Sequence, residues 1–161
     1  DAYFDRFSNT WYHGDFAEIK ETRGFVIHGR SDTTLNPGGV RLGTAEIYSE
    51  VEKFREIKES IVVGQSWDND VRIILFIVMN AKFFLTDDLL KKIKLQIRKN
   101  ASPRHVPSKI IVINDIPRTK SGKIVELAVK NTIEGNKIKN KEALANPKTL
   151  EQFKNLKELS N

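Results

Sequence analysis

Val71-Arg72-Ile73-Ile74-Leu75-Phe76-Ile77-Val78-Met79 is the stretch on which the fold turns. Its branched and aromatic side chains favour extended backbone, and the unbroken apolar run from Ile73 to Met79 offers no polar face. It therefore predicts a buried strand, and as a helix it would be far too short to span a bilayer. Ser66-Trp67-Asp68-Asn69-Asp70 before it predicts a turn, and Ile57 to Gln65 before that a second strand. Thr44 is placed to cap a helix carrying Ile47, Val51 and Phe54 on one face. On the other side of the run, Thr86 followed by Asp87 and Asp88 starts a helix with acidic groups at its positive end and Leu89, Ile93 and Ile97 as its core stripe. Pro103 and Pro107 interrupt the pattern before a strand at Lys109 to Ile113, and a third helix is expected from about Ile124 to near Gly135.

Nearer the start, Phe16 to Ile19 and Gly24 to His28 form a candidate hairpin around Glu21-Thr22-Arg23, and Asn36-Pro37-Gly38-Gly39 is a turn. At the other end, the Lys/Asn-rich stretch 136–142 reads as a linker. Leu150, Phe153, Leu156 and Leu159 read as one face of a last amphipathic helix over 149–159. The order of elements predicts a small α+β domain with helices covering a central mixed sheet.

The 161 residues suit a single domain with an unequal division, and the absence of cysteine excludes disulfides. No signal peptide is visible and the chain opens on Asp1 without an initiator methionine, so a piece of a longer cytoplasmic protein is expected. Charge is distributed unevenly. Residues 1–80 carry 9 basic and 13 acidic groups, and residues 81–161 carry 18 basic and 8 acidic groups. A basic half implies an anionic partner such as a nucleotide, a coenzyme phosphate or a nucleic acid, or else a solvated lysine face. No nucleic-acid motif and no cluster of exposed aromatics accompanies it, so no nucleic-acid partner and no membrane are expected.

Several sites are excluded. Ser121-Gly122-Lys123 lacks the glycine and the following Ser or Thr of a P-loop. His13, His28 and His105 have no zinc-ligand spacing, so no metal is expected on this chain, and His28 on a strand reads as structural. No nucleophile elbow is present.

Three segments remain, and in their order and spacing they resemble the adenylate-forming superfamily of acyl-CoA synthetases, luciferases and adenylation domains. Trp11-Tyr12-His13-Gly14-Asp15 is similar to a segment whose Asp binds the ribose hydroxyls of ATP, although taken alone an Asp after Gly is an ordinary turn residue. Gly29-Arg30-Ser31-Asp32 through Asn36-Pro37-Gly38-Gly39-Val40-Arg41 to Ile47 resembles the superfamily's hinge and the loop that follows it. Pro117-Arg118-Thr119-Lys120-Ser121-Gly122-Lys123 resembles its last signature, which ends in a catalytic lysine.

The resemblance implies roles residue by residue. Asp15, Arg30 and Arg41 would contact nucleotide, and Asp32 would be the hinge. Gly38 and Gly39 would flank the pantetheine arm of coenzyme A, while Arg98 would meet its 3′-phosphate or simply end a surface helix. Lys123 would stabilise negative charge as a carboxylate attacks ATP. Residues 1–32 would close a large N-terminal domain, 33–135 would be a mobile C-terminal domain, and 136–161 a basic linker and terminal helix. The implied substrates are ATP, a short carboxylic acid and coenzyme A, with magnesium held by ATP and the N-terminal domain. Leu35 to Tyr48 and the tail at Glu142 to Pro147 are more similar to the acetoacetate-activating branch than to the acetate-activating one. The alternatives from other classes are a basic nucleic-acid-binding module and an interaction module built on the terminal helix.

Overall fold

The computed structural model describes residue 4, residues 7–138 and residues 140–161. Five of the first six positions and Lys139, within the expected linker, lie outside the described residues. The elements are β1 (Asp15–Ile19), β2 (Phe25–Arg30), α1 (Ala45–Val51), β3 (Ile57–Trp67), β4 (Asp70–Met79), α2 (Asp87–Asn100), β5 (Lys109–Val112) and α3 (Glu126–Ile133). Up to α3, the order predicted from periodicity is the order found.

β1 and β2 form a separate antiparallel hairpin, and β3-β4-β5 form a mixed sheet with β4 in the centre. β4 pairs antiparallel with β3 and parallel with β5. The parallel pairing requires a crossover, which α2 supplies. The central place of β4 explains its continuous hydrophobicity, since it has a core on each face. Ile74, Phe76 and Val78 face α3 and the C-terminal tail, while Ile73, Leu75 and Ile77 face α1 and α2. Ile74, Leu75, Phe76 and Ile77 are fully buried, and burying each side chain contributes roughly 1.5–3 kcal/mol. The β3–β4 turn is tighter than the expected five residues. Only Asp68 and Asn69 lie outside the strands, both left-handed at φ 49° and 58°, as a two-residue hairpin with the right-handed twist of its strands demands.

Thr86 Oγ1 accepts from the Leu89 amide at 3.2 Å, the cap expected at the start of α2. Thr44 is different. It precedes α1 as expected, but it is already helical at φ −79° and ψ −23° and its side chain makes no cap bond. A capping residue needs extended backbone to aim its hydroxyl at the first turn, and Thr44 lacks it. Phe54 lies beyond the end of α1 and packs on the same core from the following turn.

The terminal helix is a correction. Residues Pro147–Phe153 and Lys157–Leu159 are 3₁₀ turns, separated by a left-handed Asn155 at φ 52°. Leu150 and Phe153 are nonetheless fully buried, and Leu159 is nearly so. Phe153 meets Phe76 edge to face with ring centroids 4.9 Å apart. Arg72 holds the far end by donating to the Leu159 carbonyl at 2.6 Å and to that of Asn161 at 2.8 Å. The tail is therefore a strap on the sheet, and its four apolar side chains face inward without an α-helix because a 3₁₀ repeat also returns every third residue to one side.

Candidate functional site

The residues singled out in the sequence fall at opposite ends of β3 and around the β1–β2 hairpin, with Arg98 in the last turn of α2. In that hairpin Asp15 lies opposite Arg30 in the β1–β2 register. The Arg30 guanidinium forks onto Asp32, Nε to Oδ1 at 3.2 Å and Nη2 to Oδ2 at 3.1 Å. That pairing raises the Arg30 pKa further above its ordinary value. Asp32 itself is exposed and outside any strand. Asp15 Oδ2 lies 2.6 Å from His13 Nδ1. The Arg41 guanidinium lies 5.7 Å from the Phe16 ring centroid, so Asp15, Arg30, Asp32 and Arg41 share one region around the hairpin.

Gly38 and Gly39 are both left-handed, at φ 58° and 74°. The Gly38 amide donates to both carboxylate oxygens of Asp70, at 2.8 and 3.0 Å. Asp70 begins β4 opposite Trp67, so the glycine loop is fastened to the far end of the β3–β4 hairpin. A side chain at Gly38 would come 3.5 Å from Arg104 Nη1, and one at Gly39 would meet open space. Neither Asp70 nor Arg104 carries a sequence signal beyond that of a turn residue and an ordinary surface cation. Arg98 lies in the exposed last turn of α2 and forms no ion pair among the described residues.

Lys123 belongs to the other end. Arg118 and Ile124 form an antiparallel bridge that closes its loop. Inside, the Thr119 amide donates to the Lys123 carbonyl at 2.8 Å, and the Lys123 amide to Thr119 Oγ1 at 3.0 Å. Gly122, at φ 83°, makes the reversal. Arg118 ties the loop to the sheet, Nη1 to the Gly122 carbonyl at 3.1 Å and Nη2 to Glu59 Oε1 at 2.5 Å. The Lys123 side chain is exposed and engages no partner among the described residues. Glu59 lies near the start of β3 and Trp67 ends it. Eight residues at about 3.3 Å each separate the two loops by roughly 26 Å along the strand.

A partly buried polar cluster lies at the joint between the hairpin and α1, and of its members only Glu46 falls within a quoted motif. His28 Nδ1 is 2.9 Å from Glu46 Oε1, and its Nε2 is 3.2 Å from Glu18 Oε2. Glu46 Oε2 and His105 Nε2 face each other at 3.7 Å, both buried without a hydrogen bond. Ser102 Oγ lies 2.8 Å from His105 Nδ1. Burial lowers the His105 pKa despite the nearby Glu46 carboxylate, which opposes the shift. Among the described residues no group of three or more His, Asp or Glu side chains is placed to hold a metal ion. No helix among them is long and apolar enough to cross a membrane.

Comparison with known proteins gives the relatives of the chain. Residues 46–123 match the family model described as the AMP-binding enzyme C-terminal domain, and the match ends at Lys123. An acetoacetyl-coenzyme A synthetase of Rhizobium meliloti (strain 1021) is 60% identical over 158 residues, which is 98% of this chain and 24% of that protein. An acetoacetyl-CoA synthetase of Xenopus tropicalis is 48% identical over 162 residues, covering 99% of this chain and 24% of the relative. The solved acetoacetyl-CoA synthetase from Streptomyces lividans superposes with a TM-score of 0.86 at 38% identity, over 100% of this chain and 24% of that one. The chain thus spans about a quarter of the length of the relatives it matches.

Proposed function

We propose that the chain, whose residues 46–123 match the AMP-binding enzyme C-terminal domain, belongs to that family and is the mobile lobe of an ATP-dependent acid–thiol ligase acting on acetoacetate and coenzyme A. One observation carries the reading: the lysine loop and the glycine loop occupy opposite ends of β3, fastened there by Arg118–Glu59 and Gly38–Asp70. No lysine stem bridges that distance, so one lobe can serve a single reaction centre with both loops only by turning.

In the first half-reaction a carboxylate oxygen of acetoacetate attacks the α-phosphorus of ATP. The bond to the β-phosphate breaks and pyrophosphate leaves, giving the acyl-adenylate. Lys123 offsets the negative charge that gathers on the phosphoryl oxygens, and its exposed ammonium on a closed loop suits that task. Asp15 accepts hydrogen bonds from the ribose hydroxyls, and Arg30 and Arg41 meet the nucleotide. The lobe then turns about Asp32, which is exposed and outside the strands. Gly38 and Gly39 come beside the pantetheine arm, and Arg98 meets the 3′-phosphate. The thiol of coenzyme A attacks the acyl carbon and AMP leaves. The basic second half of the chain faces nucleotide and coenzyme phosphates under this reading and needs no nucleic acid. Magnesium would be held by the phosphates of ATP and by residues outside this chain. The acyl pocket also lies outside it, so these 161 residues alone are expected to form no adenylate.

The test is Lys123→Ala in the full-length ligase. Acetoacetate-dependent ATP–pyrophosphate exchange should fall by about 10²-fold or more, while thioester formation from supplied acetoacetyl-adenylate stays within about twofold. Equal loss of both halves would refute the role. Comparing kcat/KM for acetoacetate and acetate decides between the two branches, and a preference for acetate would shift the assignment.

A further inference from the structure

The family match ends at the lysine loop, yet the loop does not stand by itself. Residues 143–146 of the strap run along its stem. The Lys120 amide donates to the Ala143 carbonyl at 3.1 Å, the Ala145 amide donates to the Arg118 carbonyl at 2.8 Å, and Thr119 and Leu144 form an antiparallel bridge. Asn146 completes the seam with its side chain. Its Oδ1 accepts from the Arg118 amide at 2.9 Å, and its Nδ2 donates to Asp115 Oδ2 at 2.8 Å and to the Ile116 carbonyl at 2.9 Å. One half-buried amide thus binds three points within Asp115–Arg118, the segment that leads into the loop.

The brace has a firm footing. Leu144, Leu150 and Phe153 are buried in the core shared with β4. Gln152 ties the strap to the same segment a second time, accepting from the Asn114 amide at 2.8 Å and donating to the Asp115 carbonyl at 2.7 Å. On the opposite side of the loop, Arg118 grips the Gly122 carbonyl and Glu59. The loop is therefore held from the strap and from β3, and the exposed Lys123 side chain projects from its end.

We propose that Asn146 is a positioning residue for Lys123, and that the C-terminal strap is the element that sets the loop's place on the lobe. This rests on the reading of Lys123 as the charge-stabilising group of adenylation. Truncating the Asn146 side chain leaves the Arg118 N–H and the Ile116 carbonyl short of a partner and lets the stem shift. Positioned catalytic groups are sensitive to such shifts, and a displacement near 1 Å can cost about 10²-fold. The glycine loop is fastened at the far end of β3 and does not touch the strap seam, so the thioester half-reaction is insulated.

The experiment uses the full-length ligase with Asn146→Ala, and Lys123→Ala as reference. Acetoacetate-dependent ATP–pyrophosphate exchange should lose about tenfold or more in kcat, with KM for ATP within about twofold. Coenzyme A transfer from supplied acetoacetyl-adenylate should stay within about twofold. Hydrogen exchange over 117–124 should quicken while that of β3 and β4 is unchanged. Asn146→Asp sets a carboxylate against Asp115 and should be at least as impaired. Combining it with Asp115→Asn restores a donor–acceptor pair and should recover part of the exchange activity. Unchanged exchange in Asn146→Ala, or equal loss in both half-reactions, would overturn the proposal. If Lys123→Ala itself leaves exchange intact, the reading of the lysine has failed; if Lys123→Ala abolishes exchange and Asn146→Ala does not affect it, only the brace has.

Discussion

Phe153→Ala tests whether the tail is part of the domain or an appendage to it. Phe153 is fully buried and packs edge to face on Phe76, itself fully buried on the central strand. Removing a buried phenyl ring costs the transfer of its apolar surface plus the cavity left behind, about 3–5 kcal/mol in well-packed cores. The strap around it has three further buried leucines and the Arg72 anchor, so the site can close only partly. A single domain is stable by about 5–15 kcal/mol, so the loss is a large fraction of the total. In urea the midpoint should fall at little-changed slope, and in a thermal scan the melting temperature should drop by roughly 6–20 °C. Phe76→Ala and the double variant close a cycle in which the pair should couple by about 0.5–1.5 kcal/mol. A Phe153→Ala loss below about 1 kcal/mol, or a coupling indistinguishable from zero, would show that the tail only leans on the sheet and that the strap argument is wrong.

Thr86→Ala removes the cap on the Leu89 amide and should cost about 1 kcal/mol in urea unfolding, whereas Thr44→Ala removes no cap bond, so a cap-sized loss there would contradict the backbone described for α1. Gly43→Ala would put a methyl 2.2 Å from the His28 carbonyl oxygen; backbone cannot yield cheaply, so a loss of about 1–3 kcal/mol is expected, with faster hydrogen exchange confined to β2 and α1. The lowered His105 pKa makes a pH prediction. Below its unfolded pKa of about 6.5 the unfolded chain takes up a proton that the folded one refuses, so this contribution is full above about pH 6.5 and is lost as pH falls towards the depressed folded value, at no more than about 1.4 kcal/mol per pH unit. Unfolding between pH 5 and 8 should show the slope, and His105→Gln should flatten it; an unchanged slope would assign it to other groups.

What was legible in the sequence depended on how local its cause was. The apolar run at Ile73–Met79 disclosed the central strand because burial on both faces leaves no other pattern. Thr86 was readable as a cap because its partner is three residues away. The tail was misread because an i, i+3 apolar spacing fits α- and 3₁₀-helices alike, and the left-handed Asn155 that breaks it looks like any polar residue. Among the site residues, Asp15, Arg30, Asp32, Arg41, Gly38, Gly39 and Lys123 were marked by motif, but what holds them was not. Asp70 is 32 residues from Gly38, Glu59 is 59 from Arg118, and Asn146 is 28 from Arg118. Those contacts follow from the sheet, and no local pattern announces them.

The same distinction bears on what would resist the turn proposed about Asp32. The forked Arg30–Asp32 pair is exposed, with about half of each side chain in water, and such pairs contribute at most about 1 kcal/mol. It can orient the pivot but offers little resistance. The joint between hairpin and α1 is built differently. Gly43 approaches the His28 carbonyl so closely that no side chain fits, and His28 reaches Glu46 across it. Behind them Glu46 Oε2 and His105 Nε2 face each other at 3.7 Å, buried without hydrogen bonds, an arrangement that costs free energy. If the lobe turns about Asp32 as proposed, the cost would lie in separating β2 from α1, a few residues past that position, and Asp32 itself would be cheap to move. Gly43→Ala probes that joint directly: a loss of stability confined to β2 and α1 fits this distribution, and a loss spread evenly over the sheet contradicts it.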